Sequence, residues 1–387
     1  MTTPTLPMPD LADQFLLRPN MTFLNHGSYG ACPRPVFQTY QNWQRELEGQ
    51  PVEFLGRRLY GLLGEARASL GAFIGASGDD LAFVPNATHG VNIVARSLDL
   101  QPGDEVLGTD HEYGAVERTW RFVCNQRGAR YVTQAVPMPF SDPNEVVEQF
   151  WAGVTPRTKV IVVSHISSPT ALIFPVAAIC KRAREAGIIS VIDGAHAPGQ
   201  IDLDMVAIGA DYYTGNCHKW LCSPKGAGFL YAPPARQTLL YPLVVSWGWE
   251  SIKPSGSPFV DYFEWSGTAD PAAYLSVPAA IAFQQQHNWP QVRAACHQLL
   301  SRARAQVAAL SGMPQICPDS PEWWGQMAAL PLPPCDPLAL KRRLWDEEQI
   351  EVPIVSLHGQ IYVRVSIQAY NSSEDVDHLV EALGRFL

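Results

Sequence analysis

Apolar runs alternate with amphipathic segments through the middle of the chain, from about residue 81 to residue 231. The run Lys159-Val-Ile-Val-Val-Ser164 is almost wholly β-branched, which is typical of a strand buried on both faces. Between Thr88 and Leu98, apolar residues recur at i, i+3, i+4 and i+7, which predicts a helix with one apolar face. This alternation predicts an α/β fold with a mostly parallel sheet covered by helices.

The pattern divides the chain into a large and a small part. Seven strands are predicted at 81–84, 105–108, 130–133, 159–164, 188–193, 211–215 and 226–231, preceded by a short strand at 22–24 that runs into a Gly-rich turn. Two long helices are predicted at 271–287 and 289–310, followed by strands at 326–330, 351–355 and 361–366. We therefore expect a large α/β domain over 20–265, interdomain helices over 266–312 and a small C-terminal α+β domain over 313–387, with residues 1–19 as a strap.

Composition and charge narrow the class of protein. The 387 residues are 47% hydrophobic and 17% charged, as in ordinary soluble enzymes. A net charge of -9 without a Lys/Arg cluster disfavours a nucleic-acid partner. No apolar run approaches the roughly 18–20 residues that span a membrane, and the N-terminus lacks the features of a secretory signal. We expect a cytoplasmic protein without a membrane partner.

Eight cysteines are scattered without a Cys-x-x-Cys pair. This spacing disfavours both a zinc site and a disulfide framework, so no metal is predicted. The Gly-rich fingerprints of NAD-binding and nucleotide-triphosphate-binding loops are also missing from the sequence.

Polar side chains gather where the predicted strands end. They are Asn25 and His26; Asn86 and Thr88; Asp110, His111 and Tyr113; His165, Ser167 and Ser168; Asp193 and His196; and His218 and Lys219. Ligands of doubly wound sheets bind beyond the carboxyl ends of the strands, so we expect one shared site. Taken alone, Lys219 is better explained as a surface cation, and a helix N-cap explains Thr88 about as well as a phosphate contact does. Together with Asp193, Lys219 fits a Schiff-base lysine that holds an aldehyde cofactor.

Several motifs follow one another in a characteristic order. They are Leu24-Asn-His-Gly, Asn86-Ala-Thr-His-Gly-Val-Asn92, Asp110-His-Glu-Tyr113, His165-Ile-Ser-Ser-Pro-Thr170, Asp193-Gly-Ala-His196, Gly215-Asn-Cys-His-Lys219 and Ser266-Gly-Thr268. Over roughly residues 20–270 the chain resembles the class V aminotransferase family of pyridoxal 5′-phosphate (PLP) enzymes of fold type I. The most similar branch is the isopenicillin-N-epimerase-like one, to which cysteine desulfurases and C–S lyases are related.

The resemblance implies a role for each matching residue. Lys219 would bind the cofactor covalently and later move the Cα proton, and Asp193 would pair with the pyridine nitrogen. His196 would approach the ring's 3-oxygen. Tyr113, or alternatively His111, would stack on the ring.

The same resemblance assigns the phosphate and the cofactor oxygen. The phosphate would be held by Thr88, the Ala87 N–H and His218. Ser168 stands where desulfurases carry an Asn against the cofactor oxygen. Thr268 would reach the phosphate of a neighbouring subunit, which implies a homodimer.

Substrate contacts are implied as well. Arg364 matches the residue that binds the α-carboxylate of an amino acid, and a guanidinium suits that group. Asn25 and His26 are expected to line the substrate pocket. The stretch 355–362 lacks the sulfur-accepting cysteine of desulfurases, which disfavours a persulfide relay.

The sequence does not decide which reaction the protein catalyses. After loss of the Cα proton, epimerisation and β-elimination of a C–S or similar bond are about equally supported, and transamination is third. Epimerisation needs a proton donor on each face or one mobile base, whereas elimination needs only Lys219 and a leaving group. A sensor domain without catalysis would need a DNA-binding appendage for which the fold leaves no room.

Overall fold

The structure is a computed structural model that describes residues 11–252 and 254–387. Residues 1–10 of the predicted strap lie outside the described residues. The rest of the strap contains a short 3-10 turn at Ala12–Gln14, and the side chains of Leu11 and Phe15 are buried on either side of it.

The described chain contains twelve strands and sixteen α-helices or helical turns. The strands are β1 (Thr22–Phe23), β2 (Leu81–Val84), β3 (Glu105–Thr109), β4 (Arg130–Gln134), β5 (Thr158–Ser164), β6 (Ile189–Gly194), β7 (Tyr212–Asn216), β8 (Gly228–Tyr231), β9 (Met327–Leu332), β10 (Ile350–Glu351), β11 (Ile354–Leu357) and β12 (Gln360–Ser366). The helices are α1 (His26–Tyr29), α2 (Arg34–Gly49), α3 (Pro51–Glu53), α4 (Leu59–Ile74), α5 (Ala87–Ser97), α6 (Gly114–Arg127), α7 (Pro143–Trp151), α8 (Val176–Glu185), α9 (Met205–Ile208), α10 (Pro234–Gln237), α11 (Pro258–Glu264), α12 (Ala272–Leu275), α13 (Val277–Gln286), α14 (Trp289–Ser311), α15 (Pro337–Glu348) and α16 (Ser373–Phe386).

A seven-stranded sheet forms the centre of the molecule, in the order β2-β8-β7-β6-β5-β3-β4. The strands from β7 to β4 pair in parallel, and only β8 pairs antiparallel to its two neighbours. The predicted α/β fold with a mostly parallel seven-stranded sheet is confirmed.

Strand β5 shows why this sheet needs helices on both faces. Val160 and Val162 belong to one apolar cluster, whereas Ile161 and Val163 belong to the other. All four side chains are fully buried. Two cores therefore enclose the sheet, as the β-branched run predicts.

The C-terminal part has its own three-stranded antiparallel sheet, in the order β11-β12-β9. β1 and β10 pair in parallel beside it, and Asn25 forms an isolated bridge with Ser366 at the end of β12. The N-terminal segment thus lies against the C-terminal part. The exact boundaries of the two domains stay a prediction.

Proline explains two differences from the predicted elements. The predicted helix 271–287 is divided into α12 and α13, with Pro278 in the first turn of α13. The predicted strand 351–355 is divided into β10 and β11 around Pro353, which has no N–H to donate to a ladder. The predicted Gly-rich turn after β1 is the helical turn α1.

None of the helices in the described part of the chain combines the length and the apolar character that a membrane span requires.

Candidate active site

A cavity of about 240 Å³ opens at the carboxyl ends of the central strands. Eight of the predicted site residues line it: Ala87, Thr88, Tyr113, Ser168, Asp193, His196, His218 and Lys219. These eight residues from different strand ends therefore lie around one cavity. Four other predicted residues, Asn25, His26, Thr268 and Arg364, are not among those that line it.

Strand register explains why these residues meet. Ser164 pairs with Asp193 across β5 and β6, and Asp193 pairs with Thr214 across β6 and β7. Because the three strands are parallel, their carboxyl ends face one edge of the sheet. The loop after β7 then brings His218 and Lys219 back over Asp193.

The Lys219 amine lies 3.2 Å from Nε2 of His196. The indole N–H of Trp220 donates to Nδ1 of the same ring at 3.3 Å, so in a neutral imidazole the proton is on Nε2. Nε2–H can donate only to an uncharged amine. Burial lowers the pKa of Lys219 to about 8, so a larger fraction of the amine is uncharged near neutral pH than in an exposed lysine.

Asp193 is the carboxylate of the cavity. Its Oδ1 accepts the Ala195 N–H at 2.9 Å, so the group retains a second oxygen for a ligand. Burial raises the pKa of Asp193, and both the Ala195 N–H and the charge of Lys219 oppose that rise. A cationic ring nitrogen placed beside it would favour the ionised carboxylate.

The first turn of α5 contains two of the predicted phosphate contacts, Ala87 and Thr88. Asn86 caps the helix by accepting the His89 N–H at 2.9 Å. The Ala87 N–H, expected to hold a phosphate, instead donates to Oδ1 of Asn216 at 2.8 Å. Ala87 lines the cavity, but its N–H already has a protein acceptor. Thr88, next along the helix, lines the cavity as predicted.

His218 is held through its ring. Nδ1 lies 3.2 Å from the Ala227 carbonyl, which can only accept, so Nδ1 carries the proton. Burial lowers the pKa of His218 to about 4, and Nε2 is then unprotonated. A phosphate dianion beside Nε2 would favour protonation of this nitrogen, and the resulting N–H would donate a hydrogen bond to the phosphate.

Burial distinguishes Tyr113 from His111. Tyr113 lines the cavity and is 47% exposed. His111 is buried, with its ring nitrogens 2.8 Å from the Val136 carbonyl and 3.2 Å from the Thr170 hydroxyl. The geometry therefore favours Tyr113 as the ring that faces a ligand.

Arg364 lies behind Ser168 and Ser28, which both line the cavity. Its Nη1 donates to the Ser168 carbonyl and, at 3.1 Å, to the Ser168 hydroxyl, while Nη2 donates to the Ser28 hydroxyl at 3.2 Å. Its Nε is buried without a partner within residues 11–252 and 254–387. Burial lowers the pKa of Arg364 to about 10. A buried guanidinium with neutral partners is suited to an anion.

Three predicted residues lie elsewhere. Asn25 donates to Oε1 of Glu351 at 2.9 Å and accepts from Ser28. His26 is fully buried, with Nε2 3.0 Å from the backbone carbonyl of Lys219. Neither lines the cavity as we had expected, because α1 turns both side chains away from it. Thr268 is exposed.

Sequence reasoning missed several residues of the site. Asn216, Ser164, Ser28 and Tyr29 line the cavity, and the first two are polar residues at strand ends, a signal that could have identified them. Glu112 was also missed. It accepts hydrogen bonds from the hydroxyls of Thr109 and Ser164 at 2.7 and 2.6 Å.

The chain is similar to several known proteins. Residues 24–379 match the family model for class V aminotransferases. The chain is 38% identical to an isopenicillin N epimerase of Streptomyces clavuligerus, with 96% of each chain covered. It is 27% identical to a probable chloroplastic L-cysteine desulfhydrase of Arabidopsis thaliana, covering 94% of this chain and 82% of that one.

The fold has close counterparts among solved structures. A cysteine desulfurase from Thermococcus onnurineus superposes with a TM-score of 0.83 at 20% identity, covering 100% of this chain and 99% of that one. At this identity the likeness concerns the fold. The lysine and carboxylate that share one cavity, the ordered motifs and the family match lead to one conclusion: the chain belongs to the class V aminotransferase family of pyridoxal 5′-phosphate-dependent enzymes.

Proposed function

We propose that this protein epimerises the α-carbon of an amino-acid centre with the help of PLP. The observation that carries the proposal is the partly buried amine of Lys219, which shares one cavity with Asp193 and His196. The buried guanidinium of Arg364, which is suited to an anion, lies next to this cavity. When bound, PLP supplies an electron-withdrawing ring that stabilises negative charge at Cα. The 38% identical isopenicillin N epimerase supports this reaction among the alternatives.

Each residue would contribute through its position. Lys219 would hold the cofactor covalently and, once freed, take the Cα proton. Asp193 would keep the pyridine nitrogen protonated through its second oxygen, and His196 would contact the ring's 3-oxygen. Tyr113 would cover one face of the ring.

The remaining residues would hold the cofactor phosphate, the cofactor oxygen and the substrate carboxylate. Thr88 and His218 would hold the phosphate, and Ser168 would contact the cofactor oxygen. Arg364 would bind the substrate α-carboxylate, whose two oxygens match a guanidinium. Binding a carboxylate would also provide an acceptor for the buried Nε, which has none among the described residues.

Epimerisation requires proton transfer on both faces of Cα. Lys219 serves one face. Tyr113 lines the same cavity and is partly exposed, so it is our candidate for the second donor.

A C–S lyase that acts by β-elimination on cysteine or an S-substituted cysteine is the second candidate. It needs no second donor, and the relative described as a probable L-cysteine desulfhydrase supports it. An aminotransferase is the third.

We further propose a cytoplasmic homodimer in which Thr268 of each subunit contacts the cofactor phosphate bound to the other. Thr268 is exposed and does not line the cavity of its own chain, which supports a contact across an interface. The eight free cysteines support a reducing compartment.

Replacing the anchoring lysine tests the cofactor. Purified wild-type protein is expected to absorb at about 410–430 nm, the range of a PLP imine, and Lys219→Ala is expected to lose this band. Lys225→Ala is a matched control, because Lys225 is six residues away and donates to the Gly30 carbonyl instead. A colourless wild-type protein that takes up no PLP would contradict the proposal.

The reaction is tested with amino acids and products. Incubation with L-amino acids in deuterated water is expected to give D-isomers with deuterium at Cα. Pyruvate and ammonia from L-cysteine or S-substituted cysteines would show a lyase instead. A 2-oxo acid formed together with pyridoxamine phosphate would show an aminotransferase.

A further inference from the structure

His26 is a buried histidine that the proposed chemistry does not use. It begins α1, separated from the end of β1 by two residues, and it has 0% exposure. It lies behind the segment that carries Lys219 and not in the cavity. A fully buried imidazole in this position needs hydrogen-bond partners, and both ring nitrogens have one.

The two partners determine where the proton of His26 lies. Nε2 is 3.0 Å from the backbone carbonyl of Lys219, and Nδ1 is 3.0 Å from the Tyr370 hydroxyl. A carbonyl only accepts, so Nε2 carries the proton and Nδ1 accepts from Tyr370. Burial lowers the pKa of His26 to about 3 and raises that of Tyr370 well above its usual value. Both groups therefore keep these roles over the physiological pH range.

The Lys219 carbonyl is fixed by two donors. One is His26, and the other is the Cys222 N–H at 3.0 Å. Gln368 and Cys222 also approach Nε2 with their side chains, at the longer distances of 3.4 and 3.8 Å.

Trp220, the residue after Lys219, also contacts His26. Its ring lies 4.9 Å from the His26 ring between centroids, and its N–H donates to His196. The backbone that follows the amine-bearing side chain is therefore held by His26 and its neighbours.

We propose that His26 is a positioning residue that, held by Tyr370, fixes the backbone of Lys219 and thereby the place of its amine. This rests on the proposed role of Lys219. Tyr370 follows Arg364 by six residues, and Ser366 between them accepts the Gly27 N–H at 3.2 Å. The segment that would bind the substrate carboxylate is thus joined to the lysine by side-chain hydrogen bonds.

Two substitutions separate the two nitrogens of His26. In His26→Gln the amide nitrogen replaces Nε2 and keeps the bond to Lys219, whereas in His26→Asn the amide reaches only the position of Nδ1. The readout is the rate at which an acylating reagent modifies Lys219 in apoprotein, measured by mass spectrometry with the exposed Lys159 as internal reference. The measurement does not depend on bound cofactor.

The expected changes follow from the lost hydrogen bond. His26→Asn is expected to change the relative rate at Lys219 by about three- to tenfold and to raise the PLP dissociation constant by a similar factor. His26→Gln is expected to stay within about twofold of wild type. Tyr370→Phe, which removes only the donor to Nδ1, is expected to fall between them.

Two results would overturn the positioning role. One is a wild-type acylation rate in His26→Asn. The other is that His26→Asn and His26→Gln change the acylation rate of Lys219 equally and also lose thermal stability equally. This result is expected for a residue that only packs in the core. Failure of the wild-type protein to bind PLP would refute the proposed function instead, while the order of the acylation rates would still test His26.

Discussion

At the scale of single residues, the amine of Lys219 is held in a state that suits covalent chemistry. An exposed lysine is almost fully charged at neutral pH, and its usual pKa is 10.5. Burial, opposed in part by Asp193, brings the pKa of Lys219 to about 8. The neutral His196 beside it, protonated on Nε2, requires an acceptor and therefore favours the uncharged amine.

This state predicts the pH dependence of cofactor capture. The uncharged fraction of Lys219 rises with pH through a pKa of about 8, so the rate at which apoprotein binds PLP covalently should rise and level off above it. The rate is measured by absorbance in stopped flow from about pH 6 to pH 10. Nα-acetyl-lysine serves as the control, with a rate that continues to rise towards pH 10. A protein rate that also continued to rise above about pH 9.5 would contradict the prediction.

Glu112 is a second residue whose charge is set by burial. It bridges β3 and β5 through Thr109 and Ser164, directly before Tyr113. Burial raises the pKa of Glu112 from 4.5 to about 7, despite these hydrogen bonds. The folded protein thus binds a proton more tightly here than the unfolded chain, so this contribution to stability is complete below pH 4.5 and is lost as pH rises through about 7.

Glu112→Gln is expected to remove this part of the pH dependence. Between about pH 4.5 and pH 7, the unfolding free energy of the wild type should fall relative to the variant by about 1–3 kcal/mol. Denaturant titrations at several pH values measure the difference. Glu117→Gln, which removes a partly exposed carboxylate from α6, is the control for the loss of one acidic side chain. Parallel curves for wild type and Glu112→Gln would refute the assignment.

At the scale of elements, the site depends on how closely α5 approaches β7. Gly90 in α5 faces Thr214 of β7, and a Cβ at Gly90 would lie 2.3 Å from the Thr214 hydroxyl oxygen. The side chain of Thr214 cannot move away freely, because its hydroxyl donates to the Phe229 carbonyl at 2.8 Å. Glycine therefore lets the first turn of α5 reach the end of the sheet.

Gly90→Ala is expected to push α5 away from the sheet. The crowding should cost about 1–3 kcal/mol of unfolding free energy, and PLP should bind more weakly because Thr88 moves with the helix. Denaturation and cofactor titration measure the two effects. Gly61→Ala in α4 is a matched control, since its Cβ meets nothing within 4 Å and the change should be neutral or stabilising. A Gly90→Ala protein as stable as the wild type would show that α5 has room to shift.

At the scale of the whole molecule, several large apolar side chains are exposed in the stretch 244–252. Val244, Val245, Trp247 and Ile252 are 51%, 68%, 75% and 83% exposed. This stretch precedes α11 and the segment that carries Thr268. Exposed apolar side chains that gather in one stretch are typical of an interaction surface, and a second copy of the chain is the partner that the proposed homodimer requires.

Trp247→Glu is expected to shift the protein from dimer to monomer. A charge in the centre of an apolar interface loses its water without gaining a partner. Light scattering measures the mass, and PLP affinity should fall with it because Thr268 no longer reaches the second subunit. Val206→Glu, at an equally exposed valine of α9, is the control and should leave the mass unchanged. A dimeric Trp247→Glu protein would place the interface elsewhere.

Much of the site was predictable because strand ends are a local signal. Thr88, Asp193 and Lys219 each follow an apolar strand, and parallel strands end at one edge. His26 met the same rule but lies behind Lys219, since α1 directs its ring towards Tyr370. The Ala87 N–H was expected to be free, yet Asn216 from a strand distant in sequence accepts it.

The sequence by itself determined the α/β fold, the seven strands, the family and the residues that meet at one edge of the sheet. Periodicity and turn residues encode the fold and the strands within short segments, whereas the family rests on the resemblance of the ordered motifs. Only the tertiary structure decided that Tyr113 and not His111 faces the cavity, that His26 holds the Lys219 backbone, and that Arg364 rests on Ser28 and Ser168. The direction of a side chain beyond a strand end depends on partners far away along the chain, and their packing is set by the whole fold.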